Sequence, residues 1–219
     1  MPSPTIVFDL DGTLVDTAPD LIDTLNVILA RHDVAAIAFD EARTMIGAGI
    51  KALLQRGLAS KGVQLPPEQI DRLFGEYLEI YAVHIADRSR PFAGLEAALD
   101  ALDARGCRLA VCTNKLEWLS VKLLKELGLA QRFAAICGQD TFTMRKPDPD
   151  MLRLTIVRAG GDTGHAVMVG DSLEEDIEGA RALGLRAILI DREERHPEVE
   201  DRLTDLLGLP AALGLERPA

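Results

Sequence analysis

Carboxylates, hydroxyls and a lysine recur in this chain at the places where apolar runs stop. The first run, over Thr5–Leu10, closes on Asp9-Leu10-Asp11-Gly12-Thr13. A later one closes on Thr113-Asn114-Lys115 and another on Gly170-Asp171-Ser172, with Lys146 and Pro147 in a turn-rich stretch between them. A carboxylate ending a buried strand is placed as a nucleophile, and attack on phosphorus would give an acyl phosphate, dividing a hard hydrolysis into two steps. Asp11, two residues on, can point to the same side as Asp9. It can act as general acid for a leaving alkoxide and then as base for the attacking water. Gly12 permits a turn that a side chain would hinder, and Thr13 can satisfy backbone groups of that turn. Asp171 supplies a carboxylate where Mg²⁺ would join the protein to a phosphate oxygen, as this hard ion does with few protein ligands and several waters. Lys146 and the Thr113 hydroxyl can neutralise and hydrogen-bond the remaining phosphate oxygens. The expected ligand is a small phosphate ester and the expected cofactor is Mg²⁺.

Taken singly, each of these residues is ordinary. An Asp or Thr at a strand end commonly caps a helix or forms a turn, and a lone loop lysine is usually solvated. The run Asp-x-Asp-Gly-Thr is rarer, arising by chance in only about one in a thousand chains of this length at average residue usage. Thr-Asn, Lys-Pro and Gly-Asp-Ser then follow it in order, three of the four places at strand ends.

The elements that must hold these residues alternate. Apolar runs at Thr5–Leu10, Arg108–Thr113, Ala134–Cys137, Ala166–Gly170 and Arg186–Ile190 predict buried strands, because they lack polar alternation and are flanked by turn residues. Between them, Leu95, Leu99 and Leu102 form one helical stripe, Leu119, Leu123, Leu124 and Leu127 a second, and Ile177, Ala180 and Leu183 a third. Alternating strand and helix predict an α/β fold, a doubly wound parallel sheet with a Rossmann-like core and helices on both faces. Such sheets place ligands beyond the carboxyl ends of their strands.

From Thr17 to about Arg88 only helical periodicity is present, which predicts an inserted helical cap domain. The expected division is a core of residues 1–16 and 89–219 and a four-helix cap of residues 17–88. Leu21, Leu25, Ile28 and Leu29 make the first stripe of the insert, and Ile70, Leu73, Phe74, Tyr77, Leu78 and Tyr81 the last. Asp40 is a plausible N-cap for one of the shorter helices between them, and Gly47-Ala48-Gly49 the break before the other. The chain would return to the core near Pro91-Phe92-Ala93-Gly94. Arg43, Gly47, Gly49 and Lys51 are the cap's candidates for substrate selection, since two glycines between helices make a loop that can reach into a closing site. A solvated arginine and lysine beside a plain helix break fit the same residues.

The net charge of −11 argues against a surface built to neutralise nucleic-acid phosphates or anionic lipid, so neither nucleic acid nor membrane is an expected partner. Met1–Thr5 carries no basic stretch followed by an apolar segment, and no apolar run approaches the ~18 residues of a spanning helix. A cytoplasmic protein is expected; the oligomeric state is left open. The three cysteines, Cys107, Cys112 and Cys137, lack disulfide or zinc spacing and read as reduced core residues. Trp118, Cys137 and Met168 read as packing, Arg145 as a solvated charge, and the four scattered histidines are given no catalytic role.

With these residues assembled, the chain resembles the haloacid dehalogenase-like superfamily, whose four motifs match Asp9–Thr13, Thr113, Lys146-Pro147 and Gly170-Asp171-Ser172-x-x-x-Asp176. The resemblance implies Asp9 as nucleophile, Asp11 as acid and base, Thr113 and Lys146 as phosphoryl ligands, and a last motif that binds Mg²⁺. It also implies that Asp11 lends its backbone carbonyl to the metal, so the implied metal set is Asp9, Asp11 and Asp171. The final acid of that motif is Asp176 or Glu175. A helical insert after the first motif resembles the small α-helical cap subgroup. An acid two residues after the nucleophile favours phosphomonoester hydrolysis over dehalogenase or phosphonatase chemistry. Arg43–Gly49, Thr113-Asn114-Lys115 and Arg145–Pro149 look most like the phosphoglycolate phosphatase branch. The expected substrate ligands are Thr113, Asn114 and Lys146 of the core with Arg43, Gly47 and Gly49 of the cap. Pyrophosphatases and broad sugar-phosphate phosphatases share most of these signals. Phosphomutases of the β-phosphoglucomutase type, which typically show Asp-Gly-Val where this chain has Asp11-Gly12-Thr13, are a further enzyme rival, and a non-catalytic binding module is the non-enzyme rival.

Overall fold

The computed structural model describes residues 4–215; Met1 to Ser3, within the N-terminal stretch expected to carry no leader, lie outside them. Six parallel strands form the main sheet: β1 (Thr5–Phe8), β4 (Arg108–Cys112), β5 (Ala135–Cys137), β6 (Ala166–Gly170), β7 (Arg186–Ile190) and β8 (Arg202–Leu203). Their order is β5-β4-β1-β6-β7-β8. The chain builds outward from β1 through β4 to β5, then returns to the other side of β1 with β6. The strand order therefore reverses between β1 and β6, where a doubly wound sheet opens a crevice at its carboxyl edge.

Side chains of successive strand residues point to opposite faces. Val7, Ala110, Cys112, Met168 and Leu189 meet Met151, Leu152 and Ile156 of α7 (Pro149–Arg158) and Ala180 of α8 (Gly179–Ala182) in one continuous core. Ile6, Phe8, Leu109 and Val111 are equally buried on the alternate positions, and the Phe8 ring meets Phe133 edge-on at 6.4 Å. Both faces being covered is why these strands read as unbroken apolar runs. Helix α5 (Leu95–Asp103) buries the stripe Leu95, Leu99 and Leu102, and α6 (Glu117–Glu126) buries Leu119, Leu123 and Leu124, while Leu127, the last of the second stripe, lies beyond the end of α6 and is only half-buried. The third stripe differs: Leu173–Glu178 is a π-helical turn that runs into α8. Helix α7 begins where Asp148 accepts a hydrogen bond from the Asp150 N–H and Pro149 starts the first turn, a start signal that favours a helix by satisfying a free donor.

The chain divides into two compact units, one built from residues up to Val15 with those from Pro91 onward, the other from Asp16–Arg90. Short strands β2 (Val15–Asp16) and β3 (Arg90–Pro91) pair with each other. Within the second unit lie α1 (Ala18–Arg31), α2 (Phe39–Arg43), α3 (Ile50–Ser60) and α4 (Pro67–Val83). Its core is made by Leu21, Leu25, Ile28, Leu53, Leu54, Leu58, Ile70, Leu73, Tyr77 and Tyr81, and the Tyr77 hydroxyl donates to the Leu21 carbonyl at 2.6 Å. Asp40 is not an N-cap; Ala38 precedes α2, and Asp40 lies in its first turn. Buried Asp20 in the first turn of α1 accepts from the N–H groups of Arg88 at 2.9 Å and Ser89 at 2.7 Å and from the Ser89 hydroxyl at 2.6 Å. Among the described residues no helix is long and apolar enough to cross a membrane.

Candidate active site

Asp9 is the first residue beyond β1, and its N–H donates to the Val169 carbonyl at 2.9 Å, so the ladder with β6 fixes its backbone. The turn that follows is held by the N–H groups of Thr13, Leu14 and Val15, all donating to the Leu10 carbonyl. Arg192, two residues beyond β7, caps the same turn from outside. Its guanidinium donates to the carbonyls of Gly12 and Thr13 and stacks 3.5 Å from the centre of the Phe92 ring. Gly12 has φ of +88°, a conformation that favours glycine, and a Cβ there would strike the Asp171 carboxylate. Thr13 departs from expectation: its hydroxyl is not spent on the turn but donates to Asp171 Oδ1 at 2.9 Å.

Asp171 follows β6 directly, and Asp176 sits one turn later in the π-helical segment. Carboxylate oxygens of Asp9, Asp171 and Asp176 lie within 4.8 Å of one another. Lys146, from the loop between β5 and α7, enters this group: Nζ stands 2.8 Å from Asp9 Oδ1 and 2.6 Å from Asp176 Oδ1. Asp176 Oδ2 also accepts from the Ser172 N–H at 3.1 Å. Between the two acids left open by the spacing, Asp176 is the one inside the cluster. Burial pushes the Glu175 carboxyl up, against the pull of the Lys146 charge.

The electrostatics follow from this crowding. Burial would lower the Lys146 ammonium, but the charges of Asp176 and Asp9 outweigh it and hold Lys146 well above its ordinary value. Burial raises Asp9 well above the carboxylate range, and Asp176 and Asp171 add to that against the pull of Lys146. Asp171 is partly open to solvent, yet the protein around its carboxyl and the Asp176 charge push it to about 6. Three carboxylates facing one ammonium are short of positive charge, and their hard oxygen donors suit a small divalent cation such as Mg²⁺.

Asp11 stands apart from this group. Both of its carboxylate oxygens face Lys115 Nζ, at 3.1 and 3.2 Å, and the Lys115 side chain is almost fully buried. Thr113 follows β4; its N–H donates to the Cys137 carbonyl and its hydroxyl accepts from the Lys115 N–H at 3.2 Å. Asn114 is committed to Lys146: its Oδ1 accepts from the Lys146 N–H at 3.1 Å and its Nδ2 donates to the Lys146 carbonyl at 3.3 Å. Asp9, Asp11, Thr113, Asn114, Lys146 and Asp171 thus gather at the carboxyl ends of β1, β4 and β6. Arg43, Gly47 and Gly49 belong to the helical unit. There Arg43 lies 3.8 Å from Asp16 and over the Phe39 ring, while Gly47 and Gly49 carry φ of +133° and +88° before α3. Lys51 pairs with Asp71.

Sequence alone assigns no role to Lys115 or Arg192 and does not show that Asp176 pairs with Lys146. Only Lys115 carried a signal, its place two residues after Thr113 at a strand end. Trp118 is not a packing residue but 46% exposed on α6, whereas all three cysteines are buried and unpaired. Burial raises the Cys112 thiol to about 12, which keeps it inert.

Among curated proteins, the chain is 42% identical over 203 residues to the phosphoglycolate phosphatase of Caulobacter vibrioides, covering 93% of this chain and 85% of that one. It is 46% identical over 193 residues to the phosphoglycolate phosphatase of Mesorhizobium japonicum, covering 87% and 84%. Among solved structures, a protein described as a predicted phosphoglycolate phosphatase from Haemophilus somnus superposes with a TM-score of 0.86 over 97% of this chain and 99% of that one, at 22% identity, a likeness of fold. CbbY from Rhodobacter sphaeroides, solved in complex with phosphate, gives 0.78 over 97% and 99% at 25% identity. The family model described as haloacid dehalogenase-like hydrolase matches residues 6–190, from β1 to the end of β7, and the chain belongs to that family.

Proposed function

We propose that this hydrolase is a Mg²⁺-dependent phosphatase that cleaves phosphoglycolate through an aspartyl phosphate on Asp9. One observation carries the reading. Two carboxylates two residues apart occupy different surroundings, Asp9 against Lys146 in a crowded acidic group and Asp11 on a lysine of its own. Such a split suits one carboxylate for attack and the other for proton transfer. Curated relatives named phosphoglycolate phosphatase support the choice of substrate.

In this reading Asp9 attacks phosphorus while Asp11 gives its proton to the leaving oxygen. Asp11, now a carboxylate, takes a proton from water as that water attacks the acyl phosphate, releasing phosphate and restoring Asp9. Lys146 holds phosphoryl oxygens by charge. The Thr113 hydroxyl, accepting from Lys115, keeps its own hydrogen to donate to them. Asn114 acts on the phosphate through Lys146, whose main chain it holds. Asp9, Asp171 and the Asp11 carbonyl would hold Mg²⁺, with Asp176 beside them. When bound, the ion offsets the crowded carboxylates and polarises a phosphoryl oxygen. Residues 17–88 act as a cap on the core of 1–16 and 89–219, with Arg43, Gly47 and Gly49 contributing to substrate choice and to exclusion of water.

Assay of the purified protein with Mg²⁺ on phosphoglycolate, hexose phosphates, nucleotides and pyrophosphate tests the reading. Phosphoglycolate is expected to give the highest kcat/KM. A higher value for another ester would move the substrate, a bisphosphate requirement would identify a mutase, and no hydrolysis of any would overturn the reading. A second expectation concerns binding alone. Mg²⁺ at about 100 times its Kd should stabilise the protein by ~2.7 kcal/mol, a Tm rise of roughly 5–10 °C by calorimetry. Asp171→Asn should lose that rise; a full rise in the variant would remove Asp171 from the metal set.

A further inference from the structure

We infer that Lys115 is a positioning residue for proton transfer: it holds the Asp11 carboxylate by both oxygens, apart from the Asp9, Asp171 and Asp176 group, in the place from which Asp11 reaches the leaving oxygen. The inference rests on the phosphatase reading and extends it to a residue outside the four motifs.

Three observations carry it. The Asp11 carboxylate is two residues from Asp9 yet lies outside the carboxylate group that could hold a metal, and what it faces instead is the Lys115 ammonium at 3.1 and 3.2 Å. A carboxylate left loose beside a divalent cation would be taken as a further ligand, and a ligated carboxylate is a poor proton carrier. Second, the lysine is itself fixed. Its N–H donates to the Thr113 hydroxyl at 3.2 Å and its carbonyl accepts from the Gln139 N–H at 3.0 Å. Gly138 approaches so closely that a Cβ there would strike the Lys115 carbonyl and the Glu117 backbone. Third, the Lys115 side chain is 1% exposed. Burying an ammonium is unfavourable unless it is paired, so its pairing partner is set by the fold and not by chance contact in solvent. A group supported in this way by packing and hydrogen bonds is what a proton-transfer residue needs, since displacement by about 1 Å can cost about 100-fold in rate.

The test is single-turnover phosphorylation of Asp9 with an alkyl phosphate and with a nitrophenyl phosphate, in wild type, Lys115→Met, Lys115→Gln, Asp11→Asn and the double variant Asp11→Asn with Lys115→Met. Lys115→Met should slow the alkyl ester by roughly 10- to 100-fold, slow the nitrophenyl ester far less, and leave KM nearly unchanged. Lys115→Gln keeps an uncharged N–H donor group and should fall between Met and Lys; it carries the test if a melting curve shows that the Met variant does not fold. The double variant should be no slower than Asp11→Asn, because the two residues act as one unit. Equal losses for both esters in Lys115→Met, multiplicative losses in the double variant, or a raised KM with the rate retained would each overturn the inference while Asp11→Asn stays ester-selective. If Asp11→Asn itself is unselective, the acid role of Asp11 fails, and with it the reading on which the inference rests.

Discussion

Asp9→Asn is expected to abolish phosphate release while the protein stays folded, with a loss on the order of 10⁶ in kcat, as when a covalent hydrolase loses its nucleophile. An amide of the same volume fills the place of the carboxylate but cannot form the acyl phosphate. The fold should tolerate the change, because Lys146 keeps Asp176 at 2.6 Å and so remains a paired buried charge. The sign of the stability effect follows from the electrostatics. Burial and two neighbouring acids raise Asp9, so its ionised form costs stability at neutral pH. The neutral amide removes that cost, and without added ion Asp9→Asn should melt at or above the wild-type temperature at pH 7. Turnover near wild type would show that another residue attacks phosphorus.

Asp11→Asn is expected to lose activity in a way that depends on the leaving group. The variant keeps the backbone and one acceptor toward Lys115 but has no proton to give. An alkyl alkoxide leaves poorly unless protonated in the transition state, so phosphoglycolate should lose roughly the 10²–10⁴ typical of general acid catalysis. A nitrophenolate needs little such help. With that ester the aspartyl phosphate should form at a rate close to wild type, while its hydrolysis slows because Asp11 is also the base. A burst of nitrophenol followed by a slow steady state should appear in stopped-flow traces. Equal losses in the phosphorylation rate for both esters would show that Asp11 is not the acid.

How much of this was legible in the sequence follows from the range of the interactions. β1, β4, β6 and β7 stood out because both faces of the sheet are covered, leaving each strand no polar alternation. β8 was missed because two residues on a sheet edge have no periodicity to read. Helix α7 was missed although Asp148 and Pro149 give its start, since its buried side includes Thr155 along with Met151, Leu152 and Ile156. The residue types of the site were readable from their places at strand ends. Their pairings were not. Lys146 meets Asp176 across 30 positions, Lys115 meets Asp11 across 104 and Arg192 reaches Gly12 across 180, and local pattern carries no information at such separations. Trp118 marks the same limit, because an aromatic residue on a helix does not state which face it occupies.

The clasp of Asp20 on Arg88 and Ser89 bears on the order of folding. It joins positions 68 and 69 apart, and it does so inside the helical unit. In an unfolded chain, pairing β1 with β4 means closing a loop that contains the whole insert, with an entropy cost that grows as the logarithm of its length. Helix pairs connected by short turns form from local contacts and can assemble early. With α1 fastened to the segment after α4, most of that loop is already closed, and what remains between β1 and β4 is residues 9–19 and residues 90–107, the latter carrying α5. A helical unit that folded first would therefore lower the entropy cost of pairing β1 with β4, and destabilising it by Asp20→Ala is expected to slow formation of the sheet in stopped-flow refolding.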